Sequence, residues 1–170
     1  MASKWTFRQK VSLEKNENLQ KLVQFYVWET PVPGVSIRGK SFKELGWCRG
    51  GFNTLHAMMR KSSGFSSKKW VGVPCKEIKG KLREFNRLDS YDCSFEFAVH
   101  TIKDGFNKTE ALFYFVRNSF AHGGFKTSKY RGTTYYVFEN RQGDQLKGRA
   151  VICESSLLDW AEIVRKGPSR

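Results

Sequence analysis

The stretch Asn107-Lys108-Thr109-Glu110-Ala111-Leu112-Phe113-Tyr114-Phe115-Val116-Arg117-Asn118-Ser119-Phe120-Ala121-His122-Gly123-Gly124 decides how the rest of this chain is read. Asn is a residue type that caps helix N-termini, because its side-chain oxygen accepts a free backbone N–H. Glu110, three residues after Asn107, completes the spacing of a capping box. Ala111, Leu112, Tyr114, Phe115 and Val116 are too apolar for a surface helix, so this reads as a central helix buried on most sides. Gly123-Gly124 ends it, since glycine accepts the left-handed conformation at a helix C-terminus. At that end stand Arg117, Asn118 and His122. A guanidinium stays charged at any working pH and grips phosphate with two parallel hydrogen bonds. An imidazole exchanges a proton near neutrality.

Downstream, residues 133–138 are β-branched and aromatic and read as a strand. Gln142-Gly143-Asp144 marks a turn, and residues 146–153 read as the returning strand of a β-hairpin. Ser155 is a cap for a last helix over residues 156–165, with Leu157, Leu158, Trp160, Ala161 and Val164 apolar and Gly167-Pro168 closing it. Upstream, residues 92–103 read as a helix burying Phe95, Ala98, Val99 and Ile102. Residues 74–87 read as another, with Pro74 at its first turn and Ile78, Leu82 and Phe85 on one face. Residues 61–69, rich in Ser, Gly and Lys, are a loop and a possible basic arm. A helix is expected over 52–60, another start at Ser41 with Glu44 at capping-box spacing, and a first helix over 12–28 that Pro31 and Pro33 end. The sum is one mainly α domain over residues 1–170, with a small β-hairpin between the last two helices.

The chain carries 30 basic against 16 acidic residues, a formal charge of +14, which favours polyanions. Nucleic acid leads, with acidic lipid or an acidic protein next. An aromatic content of 15% excludes a disordered chain, and 170 residues suffice for one substantial core. No apolar run reaches the roughly 18 residues that a membrane span needs, and no apolar signal core follows the N-terminal charge, so a cytoplasmic protein is expected. Cys48, Cys75, Cys93 and Cys153 form no C-x-x-C pair and read as buried free thiols. No paired-carboxylate or H-x-H cluster points to a metal, and no cofactor is expected.

The segment Arg117-Asn118-Ser119-Phe120-Ala121-His122-Gly123 resembles the R-x(4–6)-H motif of the HEPN superfamily. The match covers residues 74–166 best and does not reach residues 1–73. The resemblance implies a small HEPN-like helical bundle acting as a metal-independent endoribonuclease, in a toxin–antitoxin or anti-phage setting. It implies a homodimer whose two motifs share one composite site, and a possible antitoxin partner. Arg117 would bind phosphate, and His122 would serve as acid or base in attack by the RNA 2′-hydroxyl. Asn118 would contact phosphate or orient His122.

Geometry qualifies that reading. Residues five apart in a regular helix differ by about 140° in direction and about 7.5 Å in rise, so they share a site only if His122 turns inward at the helix end. The plain alternatives are an ion pair from Arg117 to Asp92 or Glu96, and an imidazole cap for His122. His56 and His100 have no such company and read as structural. Lys126, Lys129, Tyr130 and Arg131 interleave charge and aromatic rings, as beside a nucleic-acid channel, and Phe125, Tyr135 and Tyr136 are further candidates to stack on bases. Two other functions compete: a non-catalytic RNA- or nucleotide-binding module, and a basic domain that binds an acidic protein.

Overall fold

Five strands form a single mixed sheet at the centre of the computed structural model, which describes residues 13–35, 37–65 and 68–169. They are β1 (Trp70–Val73), β2 (Phe97–Thr101), β3 (Phe125–Tyr130), β4 (Thr133–Gln142) and β5 (Gln145–Cys153), in the spatial order β1-β2-β5-β4-β3. β1 and β2 run parallel, with Trp70 opposite Ala98, and every other pair is antiparallel. The helices are α1 (Glu17–Val23), α2 (Gly51–Lys61), α3 (Ile78–Glu84), α4 (Lys108–Ala121) and α5 (Glu154–Lys166). The protein is therefore α/β. The mainly α reading, a HEPN-like helical bundle with one small hairpin, is wrong.

The error lies in three strands. Residues 92–103 contain β2, not a helix. Phe97 and Val99 face one side of the sheet and Ala98 and His100 the other, and all four are buried. A strand covered on both faces has no alternation to betray it, so Phe-Ala-Val-His-Thr reads equally well as a buried helix turn. β1 is only four residues long, and β3 had been read as a basic flank of the motif.

Alternation along the strands separates two cores. Ala98, Tyr136, Phe138, Ala150 and Ile152 pack against α1, α2, α4 and α5 on one face. Phe97, Val99, Val137 and Val151 pack against Ile78 and Leu82 of α3 on the other. The described part of the first seventy residues thus contributes to the same core as α4: Leu22, Phe25 and Tyr26 lie beside it, with Tyr26 stacked 5.5 Å from Phe113.

Local signals mostly act where expected, with shifted bounds. Asn16 caps α1, and the helix continues as a π-helical turn, Gln24–Trp28; Ser12 lies outside the described residues. Ser41 and Glu44 make the reciprocal capping-box hydrogen bonds, yet the chain there forms only a turn. Gly51 opens α2, one residue before the expected start. Pro74 leads through the short 3-10 turn Cys75–Glu77 into α3, which stops at Glu84. Cys153, not Ser155, occupies the cap position of α5. Cys93 and Cys153 are buried, but Cys48 is exposed and Cys75 half-buried. No helix among the described residues is long and apolar enough to cross a membrane.

Candidate active site

α4 places the motif. Its capping box is complete: Asn107 Oδ1 accepts from Glu110 N at 2.9 Å, and Glu110 Oε2 accepts from Asn107 N at 2.9 Å. Its C-terminus closes as a Schellman turn, with Gly124 N donating to Ser119 O at 2.8 Å and Gly123 N to Phe120 O at 3.3 Å. Gly123 carries φ +70°, which a side chain would resist. Gly124 then passes so close to β4 that a Cβ there would sit 2.1 Å from Glu139 O. These two glycines leave His122 as the last residue of the helical spiral, at φ −101° and ψ 6°, with its backbone N–H still bonded to Asn118 O.

That ending answers the angular difficulty of a five-residue spacing. Arg117, Asn118 and His122 all line one open pocket of about 600 Å³. One wall is α4. The other is made by the ends of four adjacent strands: Cys75 just past β1, Thr101 to Lys103 at β2, Lys147 of β5 and Asn140 to Gln142 of β4. Three inter-strand spacings of about 4.8 Å make that wall about 14 Å long. The lining contains Lys103, Arg117, Arg141, Lys147 and His122, and no Asp or Glu.

Arg117 is half-buried and forms no ion pair among the described residues. Neither expected acid reaches it. Asp92 pairs with Arg87 at 2.8 Å. Glu96 instead accepts from Gly64 N, Cys153 N and Ser156 Oγ. Arg117 Nη1 donates to Asn118 Oδ1 at 2.9 Å, while Arg117 Nε is shielded from solvent with no partner. Asn118 is itself buried and orients Arg117 rather than His122. The guanidinium is thus fixed by a neutral neighbour and not by a carboxylate. His122 is exposed, so its ring meets both solvent and pocket.

Three members of the basic wall, Lys103, Arg141 and Lys147, escaped sequence reasoning. Arg141 and Lys147 flank the turn of the hairpin, so the pairing of β4 with β5 already carried them to one end of the sheet. Lys103 had no signal while β2 was read as helix; its Nζ lies 5.0 Å over the Tyr114 ring.

The second set of predicted contacts is not at this site. β3 runs from Phe125, beside the helix end, to Tyr130, and Arg131 follows at the turn. At about 3.3 Å per residue, Lys129, Tyr130 and Arg131 lie roughly 13–20 Å beyond that end, across the sheet from His122. Lys126 Nζ sits 3.9 Å over the Tyr91 ring, and burial lowers its pKa. The Arg131 guanidinium lies over Tyr130 at 5.3 Å. Phe125 and Tyr136 are in the core, and Tyr135 packs against Tyr130.

The other two histidines lie outside this pocket. His100 is fully buried: Trp70 Nε1 donates to its Nε2 at 3.1 Å and its Nδ1 faces Thr101 O at 3.0 Å, fixing a neutral ring whose pKa burial holds down at about 4. His56 stacks on Trp70. Among the described residues no three His, Cys, Asp or Glu side chains gather as they would to hold a metal ion.

Compared with protein-family models, with curated proteins and with solved structures, the chain matches none.

Proposed function

We propose that this protein is a metal-independent endoribonuclease that cuts RNA in the pocket beside α4. The observation that carries the reading is the joint presence of Arg117 and His122 in one acid-free, basic pocket. Arg117 would hold the non-bridging oxygens of the scissile phosphate, helped by Lys103 and Lys147, as charge builds on the phosphorane. His122 would take the proton of the 2′-hydroxyl or return one to the departing 5′-oxygen. Asn118 would keep Arg117 aimed. The helical bundle implied by the HEPN resemblance is absent, so the reading rests on these side chains and not on the fold.

One chain supplies one imidazole to the pocket, whereas the reaction needs both a base and an acid. A homodimer bringing two copies of the pocket together would provide both, and we propose that assembly. The same chemistry, uncontrolled, would damage a cell's own RNA, which fits a cytoplasmic toxin or anti-phage effector held in check by an antitoxin. The single imidazole also favours a second reading, a module that holds RNA without cutting it. In that reading the pocket is only an anion cradle.

Labelled single-stranded RNA incubated with the protein in excess EDTA, beside the His122→Ala variant, separates the two. Cleavage by the parent alone, leaving 2′,3′-cyclic phosphate ends, supports the nuclease. Salt-sensitive binding with no product from either protein supports the module. Cleavage by both variants at equal rates would remove His122 from the chemistry.

A further inference from the structure

A second group of cations lies at the opposite end of α4. In α2, His56 and Arg60 are four residues apart and share a face. The His56 ring lies flat on Trp70, with centroids 4.1 Å apart and planes 13° from parallel. Lys108, the first residue of α4, holds its Nζ 5.6 Å over the same indole. Trp70 is thus a shared floor for His56 and Lys108, one from each helix, and Arg60 acts electrostatically on both.

Among the described residues the two buried arginines are paired, Arg149 with Glu139 and Arg87 with Asp92, while Arg60 is half-buried. Arg60 and Lys108 form no ion pair among the described residues, and Arg60 Nε is shielded from solvent with no hydrogen-bond partner. The groups also repel one another. Burial first, and then Arg60, lowers the pKa of Lys108. Burial, then Lys108 and Arg60, brings His56 down to about 4. Unpaired, partly desolvated cations are costly, and an unsatisfied donor in such a place calls for a missing partner.

We infer that Arg60, Lys108 and the His56 ring form a second anion site, and that its ligand is a phosphate group. The guanidinium matches phosphate oxygens bidentately, the ammonium adds a point charge, and a nearby anion makes the imidazole easier to protonate. Two sources share that chemistry: a free phosphate, or a phosphodiester of an RNA strand that also enters the His122 pocket. The fourteen residues of α4 span about 20 Å. A stacked strand advances about 3.4 Å per nucleotide, so the second source in stacked form needs about six nucleotides.

The test is ring NMR on the three histidines of the full chain, titrated with pH. It is run alone, with inorganic phosphate, and with an uncleavable 2′-O-methyl single strand of about twelve nucleotides, twice the span required. An anion within contact distance should raise the His56 pKa by about one unit or more. A rise with inorganic phosphate identifies a site for free phosphate; a rise with the long strand alone identifies a backbone contact. Lys108→Gln, with its circular dichroism and urea midpoint compared with the parent as a check on folding, should at least halve the rise. No movement of His56 with either probe, or an undiminished rise in Lys108→Gln, overturns the inference. His122 reports separately on the proposed nuclease pocket: movement there without His56 sinks only the second site, and the converse sinks only the first.

Discussion

Arg117 and Asn118 act as one unit, because the 2.9 Å hydrogen bond between them is the contact that aims the guanidinium. Arg117→Lys keeps the charge but loses the planar fork. Its RNA cleavage should fall about 100- to 1,000-fold in kcat, the usual effect of removing one preorganised donor at a developing oxyanion. Asn118→Ala should cost about ten- to a hundredfold, since a hydrogen bond to a charged group contributes about 1.5–3 kcal/mol. Its signature is a change in kcat with the pH profile in place, because His122 is untouched. A shifted pH profile in Asn118→Ala would mean that Asn118 acts on the imidazole instead.

At the level of elements, the two ends of α4 carry signals that the sequence states openly, and the sheet carries few. Asn107 with Glu110, and Gly123 with Gly124, are local rules: each depends on groups within a turn of one another. The hairpin of β4 and β5 was legible for the same reason, through Gln142-Gly143-Asp144 and the β-branched run before it. β2 was not legible, because it is a strand only by virtue of partners far along the chain, Val71 of β1 and Ala150 of β5. The motif residues could be named in advance, but the strand-end wall facing them could not. Two glycines give opposite expectations. Gly124→Ala drives a Cβ to 2.1 Å from Glu139 O and should destabilise by about 1–3 kcal/mol or more. Gly80→Ala, within α3 and facing open space, should stabilise by about 0.5–1 kcal/mol. Urea midpoints of the two variants, moving in opposite directions, check both.

Across the whole molecule, buried charge and buried histidine set the limits of stability. Arg149 is fully buried and depends on Glu139, whose other oxygen accepts from Arg141 at 2.7 Å. Glu139→Gln leaves that guanidinium without its counter-charge and should cost about 3–5 kcal/mol in chemical denaturation. Burial holds the pKa of folded His100 down at about 4, below the ordinary 6.5 of an imidazole in water, so the unfolded chain binds the proton more readily. Its contribution is fully present above pH 6.5 and is lost as pH falls through the interval to about 4, a change of about 3 kcal/mol. Denaturation at pH 7 and pH 4.5, repeated with His100→Phe, should show a smaller difference in the variant. RNA affinity should also fall with salt, and Lys147→Gln should flatten the log–log slope by about 0.7, the value for one lost phosphate contact on a single strand.

The middle strand of the sheet, β5, is the last of the described strands to be reached along the chain. A ribosome adds about 5–20 residues per second. For seconds after α4 has been synthesised, Arg117 and His122 therefore exist without the wall that makes them a pocket. Lys147 and the strand that stands between β2 and β4 arrive only afterwards. Under the proposed function, a nascent chain that holds the motif without this wall should be inert, and translation itself would delay attack on the RNA that surrounds it.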